Sequence, residues 1–276
     1  MADKPTIFFH LGLPKTGSTY LQQMVFPYLE GIRYFPKRQY KKFKKHAEKA
    51  QPEDKLLFSV EEDVLLRDRM EQLAAYDPHI RVLLVFRRHD DWVASKYKYF
   101  IRKHGYANFE EFLTLDHQNA VGGKAGLRYR TKIEWAEELF THPPMVLIFE
   151  DLQTAPVRFM AALTKLTGSR LNPKAPTEKR VKTAYKTKQL QWIRRYNRLI
   201  KYQKAKTPVK VWNKIHLKTN QLGVHTVAQL ARLAPEGWTA EDTLIPDGAL
   251  EAVRDEFAED WTFCKNYAAR QYKRPV

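Results

Sequence analysis

Four short apolar runs constrain this chain more than any other feature: residues 7–11 (IFFHL), 56–60 (LLFSV), 82–86 (VLLVF) and 145–149 (MVLIF). Each reads as a buried strand, and near-continuous apolar strands belong to parallel sheets covered on both faces. Helical patterns lie between or after them. Tyr20, Leu21, Met24, Val25, Tyr28 and Leu29 recur at helical spacing, with Gly31 as the stop. Asp90 is placed to cap a helix running to about His104 and closed by Gly105, and residues 127–140 read as another helix. Strands alternating with helices define an α/β fold, a parallel sheet flanked by helices. Ligands in such sheets gather outside the carboxyl ends of the strands.

The 276 residues, 43% hydrophobic and 13% aromatic, suffice for one large domain or one domain with an elaborate subdomain. A boundary is expected near Pro173 to Pro176. It would divide an α/β core over residues 1–172 from a basic, mainly helical part over 173–276 that completes the same domain. The second part reads as helical over residues 189–204 and is less legible beyond. No run approaches the roughly 18 apolar residues of a membrane span, and no secretory signal pattern precedes residue 7. A single cysteine, Cys264, makes no internal disulfide and no cysteine-based zinc site. The expectation is a soluble, cytoplasmic protein.

Charge narrows the partners. Lys and Arg number 48 against 31 Asp and Glu, a net +17. Residues 179–218 hold fourteen basic residues and no acid, and residues 37–49 hold seven against Glu48 alone. A field this positive attracts polyanions: nucleic acid, an anionic lipid surface, or an acidic small molecule or polysaccharide. Tyr185, Trp192, Tyr196, Tyr202 and Trp212 interleave with Lys182, Lys186, Arg194, Arg195, Arg198 and Lys201. Such a mixture stacks sugars or bases while the cations hold anions. The competing reading makes Trp192, Tyr196 and Leu199 the core stripe of a helix.

The first strand runs into Gly12-Leu13-Pro14-Lys15-Thr16-Gly17-Ser18-Thr19 and then a helix. A strand, a small-residue loop and a helix start form an anion cradle from backbone N–H groups and the helix dipole. Gly12, Gly17 and Thr19 fit the triphosphatase spacing GxxxxGK[ST], but Ser18 stands where the lysine belongs and Lys15 lies inside the loop. That lysine normally reaches the β- and γ-phosphates. No strand-borne acid for magnesium stands out either, so an ordinary ATPase or kinase is disfavoured and no metal is expected.

Residues 14–19 (PKTGST) resemble the 5′-phosphosulfate loop of sulfotransferases that use 3′-phosphoadenosine 5′-phosphosulfate (PAPS). Residues 82–87 (VLLVFR), with Ser95 eight residues after Arg87, resemble that family's 3′-phosphate motif, and residues 147–152 (LIFEDL) are similar to a further strand-plus-acid block. The likeness covers roughly residues 5–155; His89 departs from it, standing where many members have proline. It implies a P-loop-like fold and PAPS as sulfuryl donor, with adenosine 3′,5′-bisphosphate (PAP) as product. Lys15, Thr16, Gly17, Ser18 and Thr19 would hold the 5′ end, and Arg87 with Ser95 the 3′-phosphate. A later basic loop would close over that phosphate, with Lys179, Arg180 and Lys182 in position for it and Lys182 as the preferred contact. For Arg87 the competing reading is a salt bridge to Asp90.

Transfer to a hydroxyl needs a base for the acceptor proton. The likeness to members with carbohydrate acceptors puts a glutamate at the end of the second core strand, and Ser59-Val60-Glu61 matches that pattern. Glu61 is thus the expected base, and Glu62 its rival beside the acceptor; both acids also suit a plain helix cap. His10 and His104 are further candidates, His10 facing the acceptor from the first strand. The partner implied is a hydroxyl-bearing acceptor, a sugar or anionic glycan, with peripheral membrane contact compatible with the charge. Two alternatives stand beside it: a nucleic-acid-binding module, disfavoured because it needs no nucleotide site, and a divergent P-loop kinase.

Overall fold

A computed structural model describes residues 4–62, 65–115, 121, 123–177, 185–201, 210–235 and 243–273. The chain opens with β1 (Thr6–Gly12), a tight loop and α1 (Ser18–Tyr20), which continues through a π turn (Leu21–Val25) and a 3-10 turn (Phe26–Tyr28). Then come β2 (Leu29–Glu30), β3 (Arg33–Phe35), a 3-10 segment (Lys37–Lys42), α2 (Phe43–Ala47) and β4 (Lys55–Glu61). They are followed by α3 (Leu66–Ala74), β5 (Arg81–Phe86), α4 (His89–Arg102), α5 (Phe109–Thr114), α6 (Gly123–Leu127) and α7 (Tyr129–Leu139). Next are β6 (Met145–Ile148), α8 (Phe149–Thr154), α9 (Pro156–Thr167) and β7 (Arg170–Leu171). The described chain ends with α10 (Thr187–Ile200), α11 (Lys210–Leu233), α12 (Ala249–Glu256) and α13 (Ala258–Lys273).

Five strands form one sheet in the order β3-β4-β1-β5-β6, and every neighbouring pair is parallel. The fold is therefore α/β, and all five carboxyl ends lie along one edge. The four apolar runs of the sequence are β4, β1, β5 and β6. Both faces are buried. Ile7, Phe9, Leu11, Phe58, Val82, Leu84 and Val146 pack under α3, α7 and α13, whereas Phe8, Leu57, Leu83, Val85 and Leu147 pack under the helical stretch after Ser18 and under α9. Each large side chain so buried contributes about 1.5–3 kcal/mol, and together they fix the strand register that positions the edge. Cys264 is buried among them, and burial pushes its thiol up, away from reactivity.

The chain divides into two compact units. The first comprises Met1–Trp92, Lys124–Val181 and Val253–Val276 and carries the whole sheet. The second comprises Val93–Gly123 and Lys182–Ala252 and is helical among its described residues. In it α10 buries Leu190, Ile193, Arg194 and Asn197. The Arg194 guanidinium donates to Tyr97 Oη (2.8 Å), and the Asn197 amide donates to the carbonyls of Ile101 (2.7 Å) and Gly105 (2.9 Å), closing the end of α4. Buried polar groups need such partners. The core stripe of α10 is thus offset from the one read in the sequence: Leu199 is 83% exposed and Trp192 and Tyr196 are half-buried. Among the described residues no helix is long and apolar enough to cross a membrane.

Candidate active site

β1 ends at Gly12, which pairs with Glu61 at the end of β4, and Arg87 follows β5 on the other side. The loop from Gly12 to Ser18 crosses this edge and is tied down at three successive carbonyls. The Leu13 carbonyl accepts from the Thr16 hydroxyl (2.6 Å) and the Ser18 hydroxyl (3.3 Å). The Pro14 carbonyl accepts from the Trp92 indole N–H (2.7 Å), and the Lys15 carbonyl from Arg87 Nη1 (3.3 Å). The last two bonds clamp the peptide planes on either side of Lys15, which holds φ at +73°. A left-handed lysine costs of order 1–3 kcal/mol and persists only where its surroundings enforce it. Among the described residues all peptides are trans. The N–H groups of Lys15 and Thr16 therefore point opposite to those clamped carbonyls, which makes a donor concavity suited to an anion. Gly17 holds φ +83°, and a Cβ there would lie 2.8 Å from the Phe149 ring. Only glycine fits.

Arg87 stands at the carboxyl end of β5 with its guanidinium over the Phe149 ring (4.8 Å) and its Nε buried without a partner. Tyr129 Oη donates to its carbonyl (2.8 Å). Asp90 does not neutralise it. That carboxylate takes Arg88 (2.7 Å) and Arg254 (2.8 Å) instead; burial works to raise Asp90, and those two guanidiniums draw it below the ordinary range. Among the described residues no carboxylate forms an ion pair with Arg87. Glu150 accepts from the Arg88 backbone N–H (2.9 Å) and is raised by burial, with Arg87 opposing the shift.

His89 heads α4. Its Nε2 lies 2.9 Å from the Leu127 carbonyl and 3.1 Å from Asp260, and its ring stacks on Tyr129 (4.1 Å) and Phe257 (4.9 Å). Asp260 also accepts the backbone N–H groups of Tyr129 and Arg130. The residue in place of proline thus staples the helix start to α7 and α13. Asp90, expected as the cap, serves the two arginines.

The two glutamates differ. Glu61 is partly exposed and meets Lys37 of the 3-10 segment at 3.3 Å. Glu62 is more enclosed and bridges to Arg69 (3.2 Å), whose guanidinium also lies over Tyr40. Its backbone N–H donates to the Gly12 carbonyl (3.1 Å), extending the sheet by one bond. His10 is fully buried on the β1 face that meets the helical stretch. Its Nδ1 lies 2.8 Å from Ser59 Oγ, its Nε2 has no partner, and burial lowers its pKa to about 3. It sits beneath the loop, not on its open side.

One edge of the first unit therefore carries Lys15, Thr16, Gly17, Ser18, Thr19, Arg87, Glu61, Glu62 and, below them, His10. Ser95, half-buried, lies on the part of α4 that belongs to the second unit, and His104, buried, follows the end of that helix in the same unit. Lys179, Arg180, Lys182 and Tyr202 lie outside the described residues. Four residues of the site escape the sequence reading: Trp92, Tyr129, Phe149 and Gln22. For three of them nothing distinguishes a clamp from ordinary core. Gln22 alone carries a signal, standing one helical turn after Ser18 on the same face.

Neither a family model nor a curated protein matches the chain. Among solved structures it is similar to a sulfotransferase from Alicyclobacillus acidocaldarius, at 14% identity, 67% of this chain, 88% of that one and a TM-score of 0.47. It is also similar to mouse sulfotransferase SULT7A1 complexed with PAP, at 13% identity, 97% of this chain, 90% of that one and the same TM-score. At that depth of superposition the functional reading rests on the chain's own residues.

Proposed function

We propose that the chain is a sulfotransferase that moves a sulfuryl group from PAPS to an acceptor hydroxyl, with a sugar or anionic glycan as acceptor. One observation carries the reading. A guanidinium without a carboxylate partner among the described residues, Arg87, is fastened to the carbonyl of a left-handed lysine in a small-residue anion loop. Two anion-holding groups side by side suit a ligand with phosphates at both ends of a nucleoside. In this reading Lys15, inside the loop and not at the triphosphatase lysine position, would meet the leaving phosphate oxygen.

The donor fits these residues by charge and donor type. The N–H groups and hydroxyls of residues 15–19 would take the 5′ end, Arg87 the 3′-phosphate, and Ser95 and Lys182 would complete that grip. When bound, PAPS supplies the activated sulfuryl group. Lys15 stabilises negative charge on the departing oxygen, and Glu61 accepts the proton of the attacking hydroxyl. Glu61 suits the base better than Glu62 because it is the more exposed of the two, although each carries an ion pair. The reaction needs no metal in this scheme, and the protein is read as cytoplasmic with peripheral membrane contact compatible with its charge.

The test is PAP release from PAPS in EDTA, with panels of neutral and anionic oligosaccharides. Acceptor-dependent release that Lys15→Ala abolishes is expected. Phosphoryl transfer from magnesium-ATP, with no release from PAPS, would hand the site to the divergent-kinase reading.

A further inference from the structure

Beneath the loop runs a line of polar groups that the proposed chemistry does not use. The Gln22 amide Nε2 donates to Ser59 Oγ (2.9 Å), and Ser59 Oγ lies 2.8 Å from His10 Nδ1. Ser59 is fully buried, and among its described contacts the only acceptor for its proton is His10 Nδ1. An imidazole that accepts at Nδ1 and is neutral carries its proton on Nε2. That Nε2–H is buried without a partner, a costly state for a donor inside a protein. Its direction is given by Gly12: a Cβ on that glycine would meet His10 Cε1 at 2.5 Å, His10 Nε2 at 2.7 Å and Ser18 Oγ at 2.6 Å. The imidazole edge and the Ser18 hydroxyl thus converge on the space that a missing side chain leaves. The bond from Ser18 to the Leu13 carbonyl is long, 3.3 Å, so it gives way easily to a better acceptor.

We infer that Gln22, Ser59 and His10 form a donor relay under the anion loop, and that on nucleotide binding its terminal Nε2–H, unpartnered among the described residues of this structure, closes onto a lone pair of Ser18. The Ser18 proton is thereby turned outward, onto the 5′-phosphate of the bound nucleotide. His10 is then a positioning residue acting through Ser18. The inference rests on the reading of this loop as the seat of the 5′-phosphosulfate. It adds a role for a histidine that neither touches the acceptor nor exchanges protons with it. It also explains why position 12 is glycine: a methyl there would fill the gap the relay crosses.

Two measurements decide it. The first is the tautomer of His10 in the ligand-free protein, read from imidazole ¹⁵N shifts and couplings with selective labelling. The relay requires Nε2–H; an Nδ1–H tautomer, which a reversed Gln22 amide would enforce, overturns it.

The second is calorimetry with PAP, 5′-AMP and adenosine 3′-phosphate on His10→Phe, His10→Gln, Ser18→Ala and the double variant His10→Phe with Ser18→Ala. Losing the relay should weaken PAP and 5′-AMP alike by about three- to tenfold, the worth of one oriented hydrogen bond. Adenosine 3′-phosphate, which lacks the 5′ group, should be unchanged. His10→Gln, which keeps an amide N–H, should recover much of the loss, and His10→Phe should cost nothing further once Ser18 is alanine.

An undiminished His10 effect in the Ser18→Ala background, or an equal effect on adenosine 3′-phosphate, refutes the relay. If His10→Phe does not fold, the Gln variant and the tautomer still decide. If the wild-type chain takes no nucleotide, the nucleotide reading fails separately, and the tautomer still tests the relay.

Discussion

Replacing Arg87 by alanine separates the two ends of the proposed nucleotide. The guanidinium has no ion-pair partner among the described residues, its Nε has no hydrogen bond, and its contact to the Lys15 carbonyl is 3.3 Å long. Apart from the buried Nε, little of its hydrogen-bonding capacity is spent on the protein, and the rest is left for a ligand. A charge-assisted contact to a phosphate contributes about 1.5–3 kcal/mol, or roughly one to two decades in affinity. Loss of the Lys15 contact loosens the loop equally for every ligand and therefore cancels in a ratio. The quantity to follow is the preference for PAP over 5′-AMP, measured by calorimetry on wild type and Arg87→Ala, with thermal melts to confirm folding. The preference should fall by about ten- to a hundredfold, with 5′-AMP weakened only by the loosened loop. A preference that survives Arg87→Ala would mean that this arginine does not hold the 3′-phosphate.

Three further outcomes follow from the geometry. Glu61→Gln should keep nucleotide affinity while turnover falls by about a hundredfold or more; Glu62→Gln should keep turnover and lose only the Arg69 bridge, and the reverse pattern would move the base to Glu62. Gly17→Ala forces a Cβ to within 2.8 Å of Phe149 at φ +83° and should destabilise the fold by about 1–3 kcal/mol in urea melts; an unchanged midpoint would refute the packing of this loop. His10, whose pKa burial lowers to about 3, is neutral when folded and protonates near pH 6.5 when unfolded. Its contribution is whole above that value and shrinks by up to about 1.4 kcal/mol per pH unit as the pH falls towards 3. Urea midpoints at pH 7 and pH 5 should differ less for His10→Gln than for wild type, and equal slopes would contradict the assignment.

The four core strands were legible because a strand buried on both faces must be apolar at nearly every position, which leaves an almost unbroken run; the exceptions, His10 and Ser59, satisfy each other. β3 was not: three residues, Arg33 to Phe35, are too few to show a pattern. The anion loop could be read from its glycines and hydroxyls, but the left-handed lysine could not, because its conformation is imposed by Trp92 and Arg87 from distant parts of the chain. Likewise Asp90 reads locally as a cap, and only the arrival of Arg254 from α12 turns it into an ion-pair centre. The offset core stripe of α10 has the same origin. Arg194 and Asn197 are buried because Tyr97 and the end of α4 supply partners, and no helical periodicity of apolar residues reports that. The relay under the loop depends on the pairing of His10 with Ser59 across β1 and β4. Such a register is written in neither strand alone.

The central claim is that this site is built for a nucleoside carrying separate 3′ and 5′ anions, and calorimetry on the wild-type chain tests it directly. PAP should bind without any divalent metal, and at least tenfold more tightly than ATP with magnesium. ATP with magnesium binding more tightly than PAP, or no binding of PAP at all, would contradict the account.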